Sequence, residues 1–273
     1  MIIINKQTDV IEIKKIGKRT VLFSSPPTIL ASAGVAGPKE SEGPLSREFD
    51  RVFSDSMLGE ASWEKAESLL QKRAVELALI KAGKRAEDID CIFAGDLLNQ
   101  CIASSFSLRE MSIPFVGVYG ACSTMALSLI KASMYAESVE GSIAAAVTSS
   151  HFCSAERQYR YPLEYGGVRP PTSQWTVTGA GAAIVGRGEN SPKITAFTIG
   201  KIVDMGITDQ NNMGAARAPD DVKIRPYPTN EGMVFFYTQI QYSRGFRALL
   251  KDFLTQKIVE KSVNGIRNSS SIH

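Results

Sequence analysis

Gly120-Ala121-Cys122-Ser123-Thr124 stands between an apolar run over residues 113–119 and a longer one over 125–138. Small residues and hydroxyls crowd the junction. The first run is short and apolar enough for a buried strand, and the second is long enough for a buried helix. The pentapeptide therefore reads as a strand-to-helix turn, with a thiol close to the start of the helix. The same alternation extends outward from it. Trp63, Ala66, Leu70, Leu77 and Ala78 recur near helical spacing, and Gly83 ends the pattern, which predicts a helix over Trp63–Ala82. Cys91–Gly95 follows as an apolar strand, and residues 143–147 form another, leading into Thr148-Ser149-Ser150-His151. Strands alternating with helices predict βαβ units and a mostly parallel sheet, so the fold class is α/β. Residues 177–185 read as a further strand, with 194–202 as its hairpin partner. Residues 1–60 are rich in turn formers, with short strands expected only at 1–4 and 10–13.

The 273 residues are 44% hydrophobic and 22% charged, which suits a chain with a sizeable buried core and excludes disorder throughout. No run approaches the ~18 apolar residues of a spanning helix. The N-terminus lacks the apolar stretch of a secretory signal, so the four cysteines, Cys91, Cys101, Cys122 and Cys153, are expected as reduced thiols. Residues 220–273 carry eight Lys/Arg against five Asp/Glu, so the whole net charge of +3 lies there and residues 1–219 are neutral. A neutral body lacks the concentrated basic face of nucleic-acid binding, and none is expected. With two histidines, His151 and His273, a histidine-rich metal site is not expected, and no metal is expected. No phosphate loop, dinucleotide fingerprint or zinc spacing occurs, and Gly179-Ala180-Gly181 alone is a weak glycine signal, so no cofactor is expected.

Three strand ends carry the residues with chemistry. Asp96 and Asn99 follow the 91–95 strand, Cys122 sits in the turn and His151 follows the 143–147 strand. In open α/β sheets ligands gather at the carboxyl ends of strands. Exposed N–H groups at a helix start favour a thiolate, which would make Cys122 a nucleophile; the competing account is a small residue packed under a tight turn. For His151 the alternatives are a ligand donor and a histidine satisfied within the core, and for Asp96 a site carboxylate and a helix cap. Arg157 and Arg160, with Tyr159 and Tyr161, follow His151 closely; arginine offers two parallel hydrogen bonds to a carboxylate, whereas the plain alternative is a solvated loop.

Several longer segments carry a resemblance: residues 33–43 (AGVAGPKESEG), 94–100 (AGDLLNQ), 120–125 (GACSTM), 148–167 (TSSHFCSAERQYRYPLEYGG), 176–182 (TVTGAGA) and 200–219 (GKIVDMGITDQNNMGAARAP). In these the sequence resembles the stage V sporulation protein AD family of endospore-forming bacteria, a branch of the thiolase-like fold. The resemblance implies a layered α/β architecture related to ketoacyl synthases and built from two similar halves. Residues 1–190 would form the first half and 191–219 the start of the second. Residues 220–273 would be a divergent tail with an amphipathic helix over 246–261. That tail lacks the strand end and Gly/Cys-rich turn of a second half, so a truncated or frameshifted half is expected.

The resemblance also implies binding of dipicolinic acid (pyridine-2,6-dicarboxylate) or its calcium chelate for uptake into the developing spore. The ligand contacts would come from Asp96, Asn99, Cys122, His151, Arg157 and Arg160. Membrane components of the stage V transport system would be partners, with self-association also possible, and the location would be the forespore or spore, soluble or peripheral on the inner spore membrane. Cys122 falls where the fold's enzymes keep an acyl-accepting cysteine, so an acyltransferase is the alternative function, and a nonfunctional truncated product a further one.

Overall fold

The computed structural model describes residues 14–120, 123–159, 176–189, 191–200 and 233–237, of which 14, 156–159 and 233–237 are described by backbone alone. In chain order the elements are β1 (Lys14–Ile16), β2 (Thr20–Leu22), β3 (Thr28–Ala36), α1 (Pro38–Ser41), β4 (Arg51–Val52), α2 (Trp63–Ala82), β5 (Cys91–Gly95), α3 (Ile102–Leu108), β6 (Phe115–Gly117), α4 (Thr124–Ser138), β7 (Ala144–Ser150), α5 (Phe152–Tyr159), β8 (Gly179–Gly186), β9 (Ile194–Ile199) and β10 (Met233–Tyr237). The chain is mixed α/β, as expected. The strands predicted at 1–4 and 10–13 and the helix predicted at 246–261 lie outside the described residues.

Six strands form one sheet in the order β4-β3-β8-β7-β5-β6. Neighbours are parallel except around β8, which runs against both β3 and β7. Side chains alternate across this sheet with period two. Along β8, Ala180, Ala182 and Ile184 join the core under α2, whereas Ala183 and Val185 join the core under α4. The sheet is thus covered on both faces, which is why its central strands read as near-continuous apolar runs.

Helix α2 forms because its buried stripe, Leu70, Ala74, Val75, Ala78 and Leu79, repeats at helical spacing. The Ser62 hydroxyl caps its start, accepting the Lys65 N–H at 3.3 Å, and Gly83 ends it in the left-handed conformation at φ +63°. Helix α4 buries Met125, Leu129, Ile130, Ala132 and Ala136 on the other face, with Phe23, Phe93 and Phe197.

Two sequence expectations need correction. The strand at 194–199 is not the hairpin partner of β8, because both edges of β8 are occupied by β3 and β7. Instead β9 pairs with β2 and β10 in a second sheet, ordered β1-β2-β9-β10. The turn-rich reading of residues 1–60 also missed β3, nine residues long and hydrogen-bonded to β8 along most of its length.

Candidate functional site at the strand ends

Because β7, β5 and β6 are parallel and β8 reverses between β7 and β3, the carboxyl ends of β3, β4, β5, β6 and β7 all open on one edge. Gly95 ends β5 there. A Cβ at this position would stand 2.0 Å from the Val118 carbonyl oxygen, so the segment leading into α4 lies directly against the end of β5. The turn into α4 is braced on either side of residues 121–122: Ser123 Oγ donates to the Gly120 carbonyl at 2.6 Å, and Gly120 N–H donates to Thr124 Oγ1 at 3.2 Å.

Asp96 is buried immediately after β5. One carboxylate oxygen accepts the Leu98 N–H at 2.9 Å; the other accepts both the N–H and the hydroxyl of Ser104, at 2.8 and 2.6 Å. Ser104 is the third residue of α3, so Asp96 satisfies the start of that helix from six residues upstream of its first residue. Burial pushes the Asp96 carboxyl above its ordinary range, opposed by the bonds from Ser104, Leu98 and Ala103. Asn99 is exposed on the same edge. Gln100 and Cys101 beside it take left-handed backbone conformations at φ +62° and +51°.

His151 is fully buried after β7. Its Nε2 lies 2.8 Å from the Ser56 carbonyl, and its Nδ1 accepts the Cys153 N–H at 3.2 Å. Those partners fix a neutral ring with the proton on Nε2. Burial holds the ring's pKa below the usual histidine range, against the opposing pull of the Ser56 bond. The ring ties the segment after β4 to the end of β7, and it would reach a ligand only by releasing one of these bonds. Arg157 lies on α5, which begins right after His151; its side chain, like Cys122 and Arg160 as a whole, lies outside the described residues. Cys91, Cys101 and Cys153 form no disulfide among the described residues. Among the described residues no group of three or more His, Cys, Asp or Glu could hold a metal ion.

Sequence reasoning missed a second set of residues beneath this edge. Glu67 and Gln71, four apart on α2, turn into the core beside Leu70 and Ala74. Gln71 Nε2 contacts the Gly95 carbonyl at 3.3 Å, Ser104 Oγ at 3.1 Å and Ser149 Oγ at 3.3 Å. Ser149 Oγ meets Glu67 Oε1 at 3.1 Å, and Ser154 Oγ meets Oε2 at 2.8 Å. Burial and the negative charge of Asp96 push the Glu67 carboxyl up to about 8, against bonds from Ser154, Ser149 and the His151 backbone. The available signal was a Glu/Gln pair at i, i+4 on the apolar stripe of a helix, facing the hydroxyl run 148–150.

The family model described as Stage V sporulation protein AD (SpoVAD) matches residues 17–226. The chain belongs to this family. Stage V sporulation protein AD of Bacillus subtilis (strain 168) is 43% identical over 206 residues, covering 76% of this chain and 61% of that protein. The chain thus spans about three fifths of the length of this curated SpoVAD relative. Among solved structures, 3-oxoacyl-[acyl-carrier-protein] synthase III from Aquifex aeolicus is 15% identical with a TM-score of 0.40, covering 60% of this chain and 55% of that one. OleA from Xanthomonas campestris is 16% identical with a TM-score of 0.42, covering 63% and 62%. No activity comes to this SpoVAD member with those likenesses. No helix among its described residues is long and apolar enough to cross a membrane.

Proposed function

We propose that this chain is a sporulation protein that binds dipicolinate, free or as its calcium chelate, for uptake into the developing spore. The observation that carries the reading is the shared edge on which the ends of β5, β6 and β7 place Asp96, Asn99, the turn into α4 and the start of α5. The ligand is a planar dianion near neutral pH, so its two carboxylates need donors that are already desolvated or strongly charged. By residue type, Arg157 and Arg160 would supply bidentate clamps and Asn99 a side-chain amide. Asp96 and His151, bonded as they are within the fold, act by shaping the edge. Membrane components of the stage V transport system are the proposed partners, and the inner spore membrane the proposed place of action.

Calorimetric titration of the full chain with dipicolinate, with and without calcium, tests the reading. Saturable binding that weakens about tenfold or more in Arg157→Ala or Arg160→Ala is expected, from losing a charge-assisted hydrogen bond. No saturable binding under either condition would overturn it.

A further inference from the structure

We propose that Glu67 is a proton-bearing positioning residue, whose neutral carboxyl clamps the first turn of α5 to α2 and whose ionisation loosens the strand-end edge. The assignment begins with proton counting. Ser154 has one hydroxyl proton and two acceptors in reach, Glu67 Oε2 at 2.8 Å and the His151 carbonyl at 3.1 Å. If Glu67 were ionised, that single proton would have to serve both. With a proton on Oε2, Glu67 donates to Ser154 and Ser154 donates to the His151 carbonyl, which takes the Ala155 N–H on its other lone pair. Ser149 still donates to Oε1, and its own oxygen accepts from Gln71. Each hydroxyl proton of Ser149 and Ser154 then has one acceptor, while Gln71 Nε2 divides two protons among three contacts and its Oε1 has no partner among the described residues.

Asp96 takes backbone N–H bonds from Leu98, Ala103 and Ser104, whereas Glu67 takes one, from His151, so the charge is better held on Asp96. Two buried carboxyls joined through Ser149, Gln71 and Ser104 therefore divide one proton and one charge between them, with the proton on Glu67. The groups facing Glu67 agree. The end of β5 supplies Asp96, an anion, and the segment after β7 supplies the neutral His151. α3 supplies Ser104 to the bridge and α5 supplies Ser154. The neighbouring core residues of β3 and β8 are Ala33, Val35, Ala180, Ala182 and Ile184. No cation pairs with Glu67 among the described residues.

The consequence falls on α5, the helix that carries Arg157. Its first turn meets α2 at the Glu67–Ser154 bond; ionised Glu67 could still accept from Ser154 but would stand there as an unpaired buried charge, and that desolvation cost is what loosens the contact. Ionised Glu67 also adds a second negative charge beneath an edge meant to receive a dianion. The ligand consequence rests on the dipicolinate reading; the proton assignment does not.

Infrared difference spectra of the full chain and Glu67→Gln, taken from pH 6 to pH 10, test the assignment without any ligand. A protonated-carboxyl band present at pH 7, absent in Glu67→Gln and lost near the value of about 8 is expected. Its absence from the wild type at pH 7 would overturn the proposal. Asp96→Asn should move the band's midpoint down; if that variant does not fold, the Glu67→Gln comparison still decides. In parallel, dipicolinate titrations at pH 7 and pH 9 should show affinity falling about tenfold in the wild type and unchanged between the two pH values in Glu67→Gln. A titrating band with equal wild-type affinity at both pH values would overturn the positioning role. No dipicolinate binding at either pH would defeat the ligand reading alone, with the infrared band still deciding the proton.

Discussion

On the α4 face of the six-stranded sheet, Phe93, Met125, Leu129, Ile130 and Phe197 close a core of apolar side chains; on the α2 face, Leu70, Ala74 and Val75 give way near the strand ends to Glu67, Gln71, Ser104, Ser149 and Ser154. The first face stabilises by removing area from water, and its Cys91 thiol, pushed above the usual range by burial, adds pH dependence only at the alkaline end. The second gives up part of that gain to bury polar groups whose worth depends on each bond being made. The polar set sits under the edge where β5 and β7 end, whereas the apolar set runs beneath the middle of the same strands. One sheet therefore keeps a plain hydrophobic support on one side and a proton-dependent support on the other.

The largest effect that would break this contrast belongs to the apolar face. Leu129 is fully buried among Phe93, Ile130 and the β7 alanines. Leu129→Ala should destabilise the fold by about 2–5 kcal/mol, through lost transfer energy and the cavity left behind. The loss should be the same at pH 6 and pH 9, as measured by denaturant unfolding. A pH-dependent loss would mean that the two faces are coupled.

The polar face should respond to pH in the opposite way. Folded Glu67 keeps its proton up to about pH 8, while the unfolded chain releases it near the usual 4.5. Between those values the folded state binds more protons, so stability falls as pH rises; below 4.5 and above 8 this group gives no slope. The slope has a ceiling of about 1.4 kcal/mol per pH unit. Asp96, also raised by burial, adds in the same direction. Unfolding free energies at pH 5, 6, 7 and 8 should decline in the wild type and decline distinctly less in Glu67→Gln. Parallel lines would remove Glu67 from the account.

How much of this could be read from the chain follows from the same contrast. Helix α2 and strand β5 match the sequence reading residue for residue, because a long periodic stripe and an isolated apolar run have few competing readings. Strand β3, Thr-Ile-Leu-Ala-Ser-Ala-Gly-Val-Ala, was hidden by the small residues it uses beside α2 and by the turn formers around it. The misplaced partner of β8 came from trusting nearness along the chain, whereas its real neighbours come from residues 28–36 and 144–150. Asp96 and His151 were legible as strand-end residues. Their bonding was not, since the His151 ring meets a carbonyl 95 residues away. Glu67 and Gln71 left only their i, i+4 place on the apolar stripe as a signal, one easily passed over because a charged or amide residue on a helix ordinarily marks its solvated side.

The smallest effect tests whether the proton-dependent support is local. Ser62 caps α2, its hydroxyl accepting the Lys65 N–H at 3.3 Å, and Glu67 lies on the same helix little more than a turn beyond. Ser62→Ala leaves that N–H to water and should cost about 1 kcal/mol, the usual worth of an N-cap hydroxyl. Fraying confined to the first turn would leave Ala66, Glu67 and Leu70 packed, since their burial comes from the sheet and not from the cap. The variant should therefore lose stability by the same amount at every pH and keep the wild-type slope between pH 5 and pH 8. A flattened slope in Ser62→Ala would show that the cap, and not the serines of β7 and α5, fixes the place of Glu67. The polar face would then be a property of the helix end and not of the strand-end edge.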